Sequence, residues 1–119
     1  MSNTYRIVWG TSRGMDTYGY TTCSCIPNNG KRASCNGGGY DMEGTVLADV
    51  FAREFSDEIK EYLKKGEEET GSFVRLTDKG EVLMDGAVGT DTVIRFMERC
   101  GIRITRICNK PTIYQSEKI

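Results

Sequence analysis

The chain has 119 residues, 28% of them charged, with a formal net charge of −1 and no histidine. That length suits one domain with a modest core that needs no metal or disulfide staple. The charge balance excludes a global basic field for nucleic acid, and the missing histidine excludes His-activated nucleophiles and His metal ligands.

Residues 4–12 read as a strand, with Tyr5, Ile7 and Trp9 alternating against Arg6 and Val8. A turn at Arg13-Gly14-Met15-Asp16 leads into a second strand over 18–26. Tyr18, Tyr20 and Thr22 fall on one of its faces, and Gly19, Thr21, Cys23 and Cys25 on the other. Pro27-Asn28-Asn29-Gly30 is a strong turn signal, because Asn-Gly tolerates positive φ. Residues 31–36 return as a short third strand, so the first third predicts an antiparallel meander.

A long helix follows. Asp41 suits its N-cap and Glu43 its positive end. Val46, Leu47, Val50, Phe51, Phe55, Ile59, Tyr62 and Leu63 form one apolar stripe, and Gly66 supplies the stop. Asp49–Arg53, Arg53–Asp57 and Glu61–Lys65 are i,i+4 pairs on its outer face. Glu67-Glu68-Glu69-Thr70-Gly71 reads as a polar connector. Two short strands, 72–76 and 81–84, flank Thr77-Asp78-Lys79-Gly80. A second glycine corner, Asp85-Gly86-Ala87-Val88-Gly89, precedes a shorter helix that Thr90 or Asp91 caps and Gly101 ends. Residues 102–108 read as a last strand. The predicted order is β-β-β-α-β-β-α-β: an α+β domain over 1–110 with a mainly antiparallel sheet and two helices packed on one face. Residues 111–119 read as a loosely held polar tail, with a short extended piece at Thr112–Tyr114.

Chemistry concentrates at Cys35-Asn36-Gly37-Gly38-Gly39-Tyr40-Asp41, ahead of the long helix. Glycines let the backbone take positive φ and admit a close neighbour. The helix start adds unpaired N–H groups, which together make an anion cradle. Arg32 supplies charge from the preceding strand, Tyr40 an aromatic contact, and Gly86 and Gly89 a second wall. The competing reading is a tight strand-to-helix corner with Asp41 itself at the helix start. Neither a P-loop nor a dinucleotide fingerprint is present. Residues 1–40 hold four Lys/Arg against one acid, whereas 41–80 hold eleven acids against six bases. The first third is therefore the face expected to meet a phosphate or an acidic surface.

The five cysteines, Cys23, Cys25, Cys35, Cys100 and Cys108, are an odd number with no signal peptide pattern, which argues for reduced thiols. Cys23 and Cys25 share a strand face, as metal ligands or as small buried hydrophobes; their Cys-x-Cys spacing is not the usual zinc pattern, and no metal or cofactor is assigned. Tyr5 and Trp9, and Tyr18 and Tyr20, offer either core packing or a stacking platform for single-stranded nucleic acid. No base is placed to activate a nucleophile, so no residue is assigned as catalytic. No apolar run approaches membrane length, and a cytoplasmic location is expected.

From Cys35 to Ala48 the chain resembles a set of small bacteriophage and prophage proteins with Gly-Gly-(Gly or Cys)-Tyr-Asp before a helix. The likeness extends to the basic stretch Lys31-Arg32-Ala33-Ser34 and the corner Asp85–Gly89. It implies a phage-encoded accessory protein in the host cytoplasm. The resulting expectation is a non-enzymatic binding protein that inhibits or sequesters a host protein or other macromolecule, or a nucleotide-type, phosphorylated signal. Its contact residues would be Arg32, Gly37, Gly38, Gly39, Tyr40, Asp41, Gly86 and Gly89. The alternatives are a single-stranded nucleic-acid-binding module on the aromatic strands, and a small structural or assembly protein that buries them by homo-oligomerisation.

Overall fold

The computed structural model describes residues 3–13, 19–37, 41–65 and 73–119, with the side chains of 11–13, 19 and 20 excepted. Strands β1 (Asn3–Arg13), β2 (Gly19–Pro27) and β3 (Ala33–Asn36) form the expected antiparallel meander. Helices α1 (Met42–Glu54) and α2 (Ser56–Lys64) follow, then the hairpin β4 (Val74–Leu76) and β5 (Val82–Met84). A 3-10 turn at Gly86–Val88 leads into α3 (Thr90–Arg99), and β6 (Ile102–Asn109) and β7 (Thr112–Lys118) end the chain. The main sheet is antiparallel throughout, in the order β3-β2-β1-β7-β6. The protein is thus α+β, with the helices packed on the sheet.

Strand alternation sets the core. Tyr5, Ile7, Cys23, Cys25, Ala33, Ile102, Ile104 and Tyr114 point under the helices and are buried. The α1 stripe meets them, and the Phe51 ring stands edge-on to Tyr5 at 5.1 Å between centroids. Burial pushes the Cys23 and Cys25 thiols up to about 12, where they pack as small hydrophobes. Among the described residues no cluster of three or more Cys, Asp or Glu is arranged to hold a metal.

Two expectations change. The long helix bends at Phe55, whose φ of −113° and ψ of 31° leave the helical region. The backbone bonds bridge the bend, from Phe55 N to Phe51 O and from Ile59 N to Phe55 O. The bend keeps Phe55 and Ile59 buried and turns Tyr62 edge-on to Phe96, which Phe73 meets from the hairpin side. The second change concerns residues 111–119. Rather than a loose tail, they supply β7, paired with both β1 and β6. The composition hides this strand because its inward positions include a serine. Ser116 is buried, and its hydroxyl accepts a hydrogen bond from the Tyr5 O–H at 3.1 Å.

One close approach joins the helical layer. A Cβ on Gly86 would lie 2.0 Å from the Gly44 carbonyl oxygen, and a Cβ on Gly44 would lie 2.6 Å from the Gly86 oxygen. The 3-10 turn therefore packs backbone to backbone on the first turn of α1. Gly86→Ala is expected to destabilise the protein by about 3 kcal/mol or more, since main chain and not a flexible side chain must move. Gly80→Ala meets no neighbouring atom within 4 Å and bears only the strain of φ +80°. Thermal melts of the two variants check the difference.

Candidate functional site

Asp41 takes an extended backbone conformation that ends the approach to α1 and aims its carboxylate back at the helix start. Its Oδ1 accepts from the Gly44 N–H at 2.8 Å. Its Oδ2 accepts from the Thr90 N–H at 2.8 Å, and the Thr90 hydroxyl lies 3.0–3.1 Å from both oxygens. One carboxylate therefore caps α1 and reaches the first residue of α3. Gly89 makes this approach feasible: at φ +123° it turns the chain sharply into α3. Burial by itself would raise the Asp41 carboxyl, but the hydrogen bonds from Gly44 and Thr90 hold it below its ordinary value.

A second network stands beside the first. The Tyr114 O–H donates to Glu43 Oε2 at 2.7 Å, and the Arg106 guanidinium donates to the Tyr114 oxygen at 2.7 Å. Arg106 also lies 3.6 Å from Glu43 and over the Tyr114 ring. Burial, reinforced by Glu43, pushes the Tyr114 phenol up to about 12, so it stays a neutral relay of hydrogen bonds.

These two networks floor an open cleft of about 660 Å³. Its walls are Trp9 from β1, Val88 and Gly89 from the second glycine corner, Arg95 from α3 and Arg106 from β6. Trp9 shares a strand face with Tyr5 and Ile7 but remains 51% exposed. Arg95 spends its Nε–H on the Asp91 carbonyl at 3.4 Å. The cleft thus sets an indole and an aliphatic side chain among the guanidiniums of Arg95 and Arg106 and the carboxylates of Asp41, Glu43 and Asp91.

The structure brings Asp41 and Gly89 together at this cleft and sets Gly86 behind them, against Gly44. Gly37, at φ +122°, gives its N–H to the Thr21 carbonyl at 3.2 Å. Arg32 is held apart: its guanidinium donates to Ser24 Oγ, on the sheet face opposite Cys23 and Cys25. Gly38, Gly39 and Tyr40 lie outside the described residues. The Gly44 and Thr90 amides, which an outside anion could have used, are taken by Asp41.

Sequence reasoning passed over Gly44, Glu43, Arg95 and Arg106 as parts of one place. No local pattern marks them, for they come from α1, α3 and β6. Trp9 carried a signal: it continues an inward strand face beyond the residues that the helix stripe needs to cover. No family model, no curated protein and no solved structure matches the chain. No helix among the described residues is long and apolar enough to cross a membrane.

Because the folded-state pKa of Asp41 is depressed, its contribution is complete above the ordinary value of 3.8. It is lost as pH falls through the lower folded value. Asp41→Asn turns an amide donor toward groups that need an acceptor, and is expected to cost about 1–3 kcal/mol at neutral pH. The gap between parent and variant should narrow below pH 4, as read by urea unfolding across a pH series.

Proposed function

We propose that the chain is a non-enzymatic binding protein of the phage accessory type, which inhibits or sequesters a host macromolecule or a nucleotide-type signal. The Trp9 cleft is its contact. The observation that carries this reading is the exposed Trp9 set beside Arg95 and Arg106 in one hollow over the Asp41 junction. An indole left half exposed keeps apolar surface that an interface can cover. The likeness to phage proteins around Asp41 supplies the biological setting. The non-catalytic part of the reading draws support from the thiols. Burial raises Cys23, Cys25 and Cys100 to about 12, away from nucleophilic character.

The nucleic-acid reading narrows to the same cleft. Tyr5 lies in the core under Phe51, so the aromatic platform on β1 reduces to Trp9.

Trp9 is the single tryptophan of the chain, so its fluorescence reports the cleft alone. Titration with purine nucleotides, and capture from host lysate on immobilised protein, are expected to yield either quenching or one retained host protein. Arg95→Glu should weaken either interaction at least tenfold, about 1.4 kcal/mol, and Trp9→Ala should remove it. Quenching by a single-stranded oligonucleotide that collapses between 50 and 200 mM salt would favour the nucleic-acid reading instead. A captured partner that binds both variants as well as the parent overturns the assignment of this cleft.

A further inference from the structure

All five cysteines are free thiols. The strand register singles out two of them. Cys23 on β2 and Cys35 on β3 stand directly opposite one another, and both turn to the face that carries the core. The bond from Gly37 N to Thr21 O sets the phase of this ladder, so Cys23 and Cys35 are a hydrogen-bonded pair. Such pairs hold their Cα atoms about 5.5 Å apart. Disulfides are most often found at that same separation, roughly 5.5–6 Å.

The other thiols fail this test. Cys25 faces Ala33 on one side and Ile7 on the other. Its diagonal to Cys35 spans about 7–8 Å, at or beyond the reach of a bridge. Cys23 and Cys25 lie two residues apart on one extended strand, so their side chains run parallel about 6.7 Å apart. Cys100 ends α3, and Cys108 lies on β6, the opposite edge of the sheet from β3.

The two aligned thiols differ in access. Cys23 is fully buried; burial, and next the neighbouring Cys35, raise its thiol to about 12, so it stays protonated. Cys35 is half-buried on the edge strand, and its S–H donates to the Met42 carbonyl at 3.7 Å. On the β1 side, the residue opposite Cys23 is Trp9. The row Trp9, Cys23, Cys35 therefore crosses three strands.

We propose that Cys23 and Cys35 are a redox-modification site, at which a hydroperoxide oxidises Cys35 and Cys23 closes the pair into a disulfide that staples edge strand β3 to β2. The Cys35 thiolate attacks one peroxide oxygen, the O–O bond breaks, and hydroxide leaves behind a sulfenic acid. The sulfur loses two electrons and the peroxide gains them. The Cys23 sulfur then attacks the Cys35 sulfur, the S–O bond breaks, and the departing hydroxide carries off the Cys23 proton as water. Two thiols and one hydrogen peroxide give one disulfide and two waters. The bridge also removes the S–H that Cys35 gives to Met42 at the head of α1. The staple stands whether or not the Trp9 cleft binds a partner.

The full chain is treated with a small excess of hydrogen peroxide, remaining thiols are blocked with iodoacetamide, and unreduced protease fragments are mapped by mass. A Cys23–Cys35 linkage is expected, reversed by dithiothreitol. A disulfide beside an excited indole accepts its electron, so Trp9 emission should fall at least twofold on bridging and return on reduction. Cys35→Ala should form no bridge and keep its emission. Cys25→Ala should bridge as the parent does, which separates Cys23 from its neighbour. No linked fragment, linkage through Cys25, Cys100 or Cys108, a bridge between two copies, Cys35 carried to the sulfinic acid with Cys23 still a thiol, or a bridge that leaves Trp9 emission unchanged would each overturn the proposal.

Discussion

The carboxylate of Asp41 is the interaction on which the helical layer depends. It answers the Gly44 amide in α1 and the amide and hydroxyl of Thr90 in α3. Two helix starts carry partial positive charge and would repel if brought together bare. One shared anion turns that repulsion into attraction. The shared anion also needs its two ends of chain to come close, and this explains the glycines. Gly44 and Gly86 bring backbones within a separation that no Cβ allows, and Gly89 supplies the sharp turn that presents Thr90. The Asp41 cap, Gly44 and the second glycine corner are therefore one device, built from residues almost fifty positions apart.

The sheet is the frame against which that device is set. α1 rests on β2 and β3, α3 rests on β6, and the two helices touch one another. The Tyr5 and Phe51 rings lock α1 to the central strands at 5.1 Å. On the other side of the Phe55 bend, Tyr62, Phe96 and Phe73 join α2, α3 and the hairpin. β7 ties the ends of the chain together by lying between β1 and β6. Its Tyr114 reaches through the layers to Glu43 of α1, so the sheet also fixes the floor of the cleft.

Local patterns made much of this legible before any coordinates. The meander followed from alternation and the Asn-Gly turn, and α1 followed from its stripe and Asp41. β7 was obscured because its pattern looks polar: Ser116 occupies a core position, and its hydroxyl is met by the Asn3 N–H and by Tyr5, 111 residues away. The bend at Phe55 was equally hidden, since Phe55 and Ile59 continue the stripe and neither Gly nor Pro breaks it. Arg32 shows the opposite lesson. The alternation that sends Ala33 and Cys35 inward already sends Arg32 to the other face, where Ser24 holds it. The pairing of Gly44 with Gly86 had no local sign at all, being a contact between distant segments.

Most polar groups near the helix starts are occupied by the fold itself. Asp41 is saturated by amides and a hydroxyl, and Glu43, Tyr114 and Arg106 answer one another. Beside them Trp9 and Val88 stay about half exposed, at 51% and 49%. Burying Trp9 would have served stability. The fold leaves that undone while it pairs the polar residues beside the indole, so Trp9 stands over walls that hydrogen bonds hold in place.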